Sequence, residues 1–457
     1  MANDTTFRDA GFTVGAQLIG PGDERYEADR HVWNGRIEKH PALIVRCATT
    51  GDVVAALRLA ADQGLAVAVR GGGHGLTGAG TCDGGLVIDL GTINAVRVRP
   101  EERHAHVGGG ATWRDVDSAA AAAGLATTGG MVSSVGVGGL TLGGGFGWLM
   151  RKHGLAVDNL VSAQVVTADA QVLNASPDEH QDLLWALKGG GGNFGVVTAF
   201  EFAMHPLTTV LGGLVLHPGD RTLDVLRFYR DFAMVAPDEL TTMAFLMTAP
   251  PEPFVPDWLR GKPAVAILAC YAGAPDRAKA VLEPLRRYGP PAADLLNTMP
   301  YTALQGLFDK MGTPGLRSSG RSCYLDGLTD RAIDVLADGT RHMTSPFSAV
   351  HLHHLQGAVG RRSPHETAFA HRDAAFALNI LPIWSRPDEA DAHVQWSEDL
   401  WYAMQPFAGA GVYVNFLDDE GPERVRAAYG ENYDRLVAIK RKYDPQNVFH
   451  LNQNITP

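Results

Sequence analysis

Val69-Arg-Gly-Gly-Gly-His-Gly-Leu-Thr-Gly78 and Gly129-Gly-Met-Val-Ser-Ser-Val-Gly-Val-Gly-Gly-Leu-Thr-Leu-Gly-Gly-Gly-Phe-Gly147 are the two stretches on which the fold of this chain turns. The first leaves an apolar run, Leu65-Ala-Val-Ala-Val69, that reads as a short buried strand. The second predicts no regular helix, because each interior glycine costs about 1 kcal/mol relative to alanine. A third cluster, Gly189-Gly-Gly-Gly-Asn-Phe-Gly195, runs into a strand over 196–204. Glycine makes up 53 of the 457 residues, well above the usual level of about 7%. There is no Gly-X-Y period, so the excess is local: sharp turns, or backbone pressed against a ligand.

Around these clusters the pattern is mixed. Residues 41–94 predict a compact α/β unit: strands over 42–47, 65–69 and 85–90, with a helix opening at Thr50 and closed by Gly64. Thr112 caps a helix running to Ala123, and 160–174 reads as a hairpin around Asp169-Ala170. Beyond Pro206 the glycine clusters stop, and strands over 242–248, 264–271, 351–355 and 374–384 alternate with helices over 275–283, 329–341 and 389–404. That texture predicts an α+β layer with an antiparallel sheet. Helix over 422–443 and an extended tail close the chain. The expected units are 1–206, 207–410 and a C-terminal segment, 411–457, that returns to the first.

Composition narrows the function. Lys+Arg 39 against Asp+Glu 50 gives a net charge of −11, which argues against nucleic acid and anionic membranes as partners. Cys47, Cys82, Cys270 and Cys323 form no CxxC pair, so neither a disulfide framework nor a thiolate zinc site is expected. The first ten residues lack a basic segment followed by an apolar one, and no apolar run approaches the length of a membrane span. A cytoplasmic protein is expected; oligomeric state cannot be read.

Two stretches match GxGxxG, Gly73-x-Gly75-x-x-Gly78 and Gly190-x-Gly192-x-x-Gly195, but both lead into strands rather than helices. The dinucleotide fingerprint needs a helix N-terminus at the pyrophosphate, so the Rossmann reading fails on context. Separate glycine turns flanking strands suit another solution, in which nests of N–H donors wrap a long anionic cofactor. Ordinary tight turns are the alternative.

Read together, these segments resemble the FAD-linked oxidases of the vanillyl-alcohol oxidase superfamily, in their berberine-bridge-like branch, over residues 36–457. Val69-Arg-Gly-Gly-Gly-His-Gly75 looks like the family's cofactor loop. Val135-Gly-Val-Gly-Gly139, Leu142-Gly-Gly-Gly-Phe-Gly147 and Gly154-Leu-Ala-Val-Asp-Asn159 look like its second flavin segment. Gly192-Asn-Phe-Gly-Val-Val-Thr198 resembles the adenosine end, Val412-Tyr-Val-Asn-Phe416 the Tyr-x-Asn strand beside the flavin, and Pro445-Gln-Asn-Val-Phe-His-Leu-Asn-Gln-Asn-Ile455 the closing tail.

The resemblance implies a two-part FAD-binding domain of the PCMH type, a substrate domain, and FAD joined covalently to His74. It assigns cofactor contacts to Arg70, Gly71, Gly72, Gly73, Gly75, Gly130, Ser134, Gly136, Gly139, Gly143, Asn159, Gly195, Val197, Asn415, Asn452 and Asn454. Members with a second, cysteinyl link carry that cysteine three residues before Val135; here the position is Val132, so one histidyl bond is expected. Cys82 reads as a small buried apolar residue. Val135 falls where a small gatekeeper leaves room for O2. Tyr413 is the expected base, aided by Asn415, which strand alternation would put on the same face; a purely structural tyrosine is the other reading. His351 and His353 share a strand face, with His354 opposite, and are expected on the substrate side without a metal. The implied reaction moves a hydride from a C–H beside O or N of an alcohol, hydroxylated N-heterocycle or secondary metabolite to flavin N5, with O2 as reoxidant. A dehydrogenase with another acceptor, and a non-catalytic nucleotide-binding protein, are the alternatives.

Overall fold

The computed structural model describes residues 11–309 and 314–457. The first ten residues, on which the reading of no secretory leader rests, lie outside them. Among the described residues no helix is long and apolar enough to cross a membrane.

Near the N-terminus Leu43–Arg46, Leu86–Asp89 and Val67–Arg70 pair in parallel, with Gln17–Ile19 antiparallel at the edge. The parallel pairing requires a crossover, supplied by the helix Thr50–Gln63. That helix opens at Thr50, as the sequence indicated: Thr49 is its N-cap, in a capping box with Asp52, and Gly64 ends it at φ 62°. A second, antiparallel sheet runs in the order Val96–Arg99, His104–Gly108, Val196–Ala203, Leu160–Val166, Val172–Ala175. The expected hairpin turns at Ala170, φ 60°.

Among the described residues the large sheet has eight strands, all antiparallel: Ala293–Asp294, Thr209–Pro218, Pro263–Tyr271, Leu240–Thr248, Ala349–His354, Phe376–Leu381 and Arg321–Leu325 in order, with Asn297–Pro300 also on Thr209–Pro218. Strand Pro263–Tyr271 shows how its faces divide. Val265, Ile267, Ala269 and Tyr271 pack on the helices Thr222–Met234, Pro275–Arg287 and Asp330–Arg341, whereas Ala264, Ala266, Leu268 and Cys270 pack toward Trp148 and Leu149. The period of two thus separates a helix-covered face from one turned to the glycine-rich half. The molecule is α+β.

The Gly129–Gly147 expectation needs correction: Val137–Leu142 is a short helix. Val137, Thr141 and Leu142 are buried, and Val137 N–H donates to Ala111 O at 2.9 Å. A Cβ on Gly138 would lie 3.3 Å from Gly109 O, so close packing that a larger residue would crowd overrides the propensity penalty. Strands Val96–Arg99 and Thr209–Pro218 and helix Thr222–Met234 had not been anticipated. The tail is bent and irregular, not extended.

The two halves are tied by buried charge. Arg372 meets Asp158 through two contacts of 2.8 and 2.9 Å, both side chains fully buried. Arg151 donates to Leu240 O, Ala236 O and Leu355 O, and lies 2.9 Å from His354 Nε2.

Candidate active site

Between the glycine-rich half and the open face of the large sheet lies a cavity of about 520 Å³. Its lining includes Arg70, Gly71, Gly72, Gly73, His74, Gly75, Val132, Val135, Gly136, Gly139, Gly195 and Val197 on one side. His351, His353 and Asn379 come from the sheet, and Tyr413, Asn415 and Asn452 from the C-terminal segment.

The loop after strand Val67–Arg70 and the loop before helix Val137–Leu142 touch through their glycines. A Cβ on Gly72 would lie 2.3 Å from Gly136 N, and one on Gly136 would lie 2.3 Å from Gly72 N. Gly75 and Gly139 face open space instead, with nothing within 4 Å of a Cβ position. His74 stands between these loops. Its Nε2 is 3.1 Å from Ser134 Oγ, and its ring stacks on Trp33 at 5.7 Å and 19°. Burial pushes its imidazole down to about 4, so at neutral pH it is the uncharged, nucleophilic form.

Arg70 is the one charged residue in the described lining, and its guanidinium is already engaged: it pairs with Asp89 at 2.9 Å and donates to Asp29 O. Anion binding in this cavity therefore falls to backbone amides. At the far end Asn193 ties its own loop to the C-terminal tail: its Nδ2 donates to Gly190 O and Gln453 O, and its Oδ1 accepts from Ile455 N–H. Lys440 and Asp444, both fully buried, bond to each other and hold Phe449, so the tail is pinned across this end. Asn452 Oδ1 and Asn454 Oδ1 are buried without partners among the described residues, and Asn454 is outside the lining. Open glycine amides, no unpaired charge among the described lining residues and the unfilled Asn452 acceptor fit a long polar cofactor such as FAD.

Besides Asn454, four expected cofactor residues stand off the lining. Asn159 is not on the cavity: its Nδ2 donates to His153 O and Leu155 O, and its Oδ1 lies 2.7 Å from His205 Nε2. Gly130 backs Trp113 and Leu140, and Gly143 makes room for Asn415, whose Oδ1 would be 2.1 Å from a Cβ there. Ser134 reaches the cavity only through His74.

Tyr413 and Asn415 do meet, but not by strand alternation: 414–416 is a 3₁₀ turn, so the expected strand is corrected. Asn415 Nδ2 donates to Tyr413 Oη at 2.8 Å and to Leu140 O at 2.9 Å. Gly145 N–H and Phe146 N–H also donate to the phenol oxygen, at 2.8 and 3.4 Å. Burial pushes the phenol up to about 12, although these donors oppose the rise. Phe146 stacks flat on Tyr413 at 3.8 Å.

On the sheet wall His351 and His353 share the cavity face, while His354 points to Arg151. Burial pushes His351 down to about 4 and His353 to about 3. Asn379, which no motif flagged, is the cross-strand partner of His351. Among the described residues no cluster of three metal-ligating side chains occurs. Cys82 is buried and its thiol is pushed up by burial. Val132 and Val135 both line the cavity, and neither can form a thioether.

A family model described as FAD binding domain matches residues 41–176, and one described as berberine and berberine like matches 412–456. The FAD-linked oxidoreductase YgaK of Bacillus subtilis is 31% identical over 448 residues, covering 96% of this chain and 97% of that one. (R)-6-hydroxynicotine oxidase of Paenarthrobacter nicotinovorans is 30% identical over 97% of each chain. Among solved structures, 6-hydroxy-D-nicotine oxidase from Arthrobacter nicotinovorans superposes with a TM-score of 0.87 at 29% identity, covering 97% of this chain and 98% of that one. A berberine bridge enzyme shares the fold, with a TM-score of 0.86 at 21% identity over 99% of each chain.

Proposed function

This chain belongs to the berberine-like FAD-linked oxidoreductases, and from that premise we propose that it oxidises a small organic substrate at a C–H next to oxygen or nitrogen, carries its FAD covalently on His74, and uses O2 as the final acceptor. The observation that carries the reading is one cavity bounded by the glycine loops on one side and by an aromatic, histidine-bearing sheet wall on the other. When bound, FAD supplies the two-electron acceptor. The glycine-rich unit 1–206 and the segment 411–457 would hold it, and 207–410 would present the substrate.

The chain's own groups fill distinct tasks. His74, kept neutral by burial and positioned by Ser134 and Trp33, has a nitrogen lone pair free to bond the cofactor ring. Amides of 71–75, 136 and 139 would receive the cofactor's polar groups, and Gly195, Val197 and Asn452, on the same lining, would help to hold it. Tyr413 and Asn415 fix the turn 143–146. Val135 leaves a small side chain where oxygen approaches.

Purified protein tests this directly. Yellow colour that stays with acid-precipitated protein, and a flavin mass on the peptide containing His74, support it. Free FAD in the supernatant refutes the covalent part, and a colourless protein that no substrate converts refutes the oxidoreductase assignment for this site.

A further inference from the structure

His74 is held from two sides, and each hold runs back to the chain between 207 and 410. On one side stand Trp33 and Asn34. Trp33 stacks on the His74 ring at 5.7 Å, and its N–H donates to Gly73 O at 3.0 Å. Asn34 is fully buried, and each of its side-chain hydrogen-bonding positions is filled. Its Nδ2 donates to Leu76 O, in the His74 loop, at 2.8 Å and to Ser318 O at 2.9 Å. Its Oδ1 accepts from Ser318 N–H at 3.0 Å and from Arg36 N–H at 3.1 Å. The backbone repeats the join: Gly35 N–H donates to Leu316 O, Gly315 N–H donates to Trp33 O, and a Cβ on Gly35 would lie 2.2 Å from Gly315 O.

On the other side Ser134 Oγ lies 3.1 Å from His74 Nε2. The residue before it, Ser133, is buried and fastened by Asp309. That carboxylate accepts from Ser133 N–H at 3.0 Å, from Ser133 Oγ at 2.7 Å and from Arg114 Nη2 at 3.2 Å. Arg114 Nε also donates to Ser133 Oγ at 3.1 Å. Asn34, Ser133 and Asp309 all stand off the cavity lining, so they reach an occupant only through the neighbours of His74. Placement is what such groups control, and an error of about 1 Å at a reacting atom can cost about 10²-fold in rate.

Resting on the flavin reading above, we propose that Asn34 and Asp309 are positioning residues for His74: through Leu76 and Ser133 they let the 207–410 half set the imidazole where it bonds the cofactor. The step balances. A C–H bond of a methyl on the flavin ring breaks and a C–N bond to His74 forms. The methyl and the imidazole each release one proton. The two electrons left behind pass to the ring and from it to O2, the acceptor proposed above, which leaves as H2O2. Neither Asn34 nor Asp309 exchanges a proton or a bond in this step; each fixes where the ring stands.

The test uses the full-length protein, made under riboflavin limitation and mixed with FAD at a series of concentrations. Flavin that stays with acid-precipitated protein is followed with time, and mass spectrometry checks that it sits on the His74 peptide. Asn34→Ala and Asp309→Ala should each lower the maximal attachment rate about tenfold, the worth of one buried hydrogen bond, while the FAD concentration giving half that rate changes less than threefold. Asp309→Asn, which keeps an acceptor for Ser133 N–H, should recover part of the loss. A maximal rate within threefold of wild type in either alanine variant overturns the proposal. So does a loss confined to the half-saturating FAD concentration, which marks a residue that only shapes the fold around the cofactor. Should Asn34→Ala fail to fold, Asp309→Ala, at a side chain 30% exposed, carries the same comparison. Wild type that attaches no flavin sinks the flavin reading itself; wild type that does, beside variants that keep its rate, sinks this proposal alone.

Discussion

Arg372 and Asp158, 214 residues apart in sequence, form a two-point ion pair with no exposed side-chain surface. Arg372 also donates to Thr367 Oγ1, and Asp158 also accepts from Leu155 N–H. The pair joins the segment beside the large sheet to the one that shapes the flavin side of the cavity.

Removing Arg372 leaves the buried Asp158 carboxylate with only the half-exposed Arg362, 3.4 Å away, to balance it. Arg372→Ala should cost about 3–5 kcal/mol of stability, the usual penalty for breaking such a pair. Arg372→Leu combined with Asp158→Asn should cost less than Arg372→Ala, because no bare charge remains. Thermal denaturation of the three proteins checks the order.

Tyr413→Phe separates a base from a brace. A catalytic base would take about 10²–10⁴ from flavin reduction when lost. With the phenol pushed up to about 12 and its oxygen facing three donors, we expect less than a tenfold loss in anaerobic stopped flow, together with a lower melting temperature as the Gly145 and Asn415 donors lose their acceptor. A loss of 10² or more at unchanged stability would return the base role to Tyr413.

Val135→Leu adds bulk where the cavity wall is small. Reoxidation of the reduced enzyme by O2 should slow at least tenfold while reduction by substrate changes little. Reduced wild type that persists for many minutes in air would instead identify a dehydrogenase.

Stability should fall in mild acid. His353, His354 and His217 are buried and held below the ordinary histidine value, at about 3, about 3 and about 4. Between about pH 6.5 and 4 the unfolded chain binds protons that the folded chain refuses, so folding weakens as pH drops, by up to about 1.4 kcal/mol per pH unit for each group. Asp117, pushed up to about 7 by burial, works the other way, losing stability as pH rises from about 4 to 7. Urea titrations at pH 7, 6 and 5 should show the histidines dominating, and a midpoint that rises toward pH 5 would contradict that.

Much of this was readable beforehand, for identifiable reasons. The glycine loops announce themselves because close backbone approach leaves no choice of residue, as at Gly72 and Gly136. His74 could be placed because the loop that carries it, Val69–Gly75, resembles the family's cofactor loop. The strand Thr209–Pro218 escaped notice because Gly212 and Gly213 lie inside it, and local propensity says nothing of its partners Pro263–Tyr271 and Asn297–Pro300. Asn379 escaped for a related reason: its meaning comes from lying opposite His351, a register that no single segment encodes. Asn159 was misplaced because a motif records neighbours in sequence, while its side chain is spent on His205 and two carbonyls. The link between Tyr413 and Asn415 was foreseen with the wrong geometry, since a 3₁₀ turn brings them together where a strand was assumed.

The contact between Gly72 and Gly136 also bears on how such a sequence can drift. Most packed pairs can exchange volume: one side chain grows as the other shrinks, and a second change rescues the first. Here the obstacle on each side is the other's main chain, 2.3 Å from any added carbon, so neither replacement has a compensating partner. The two positions should not covary with each other or with anything else. In a large set of descendants of this chain they would stand as invariant points, while the rest of the sequence diverges around them.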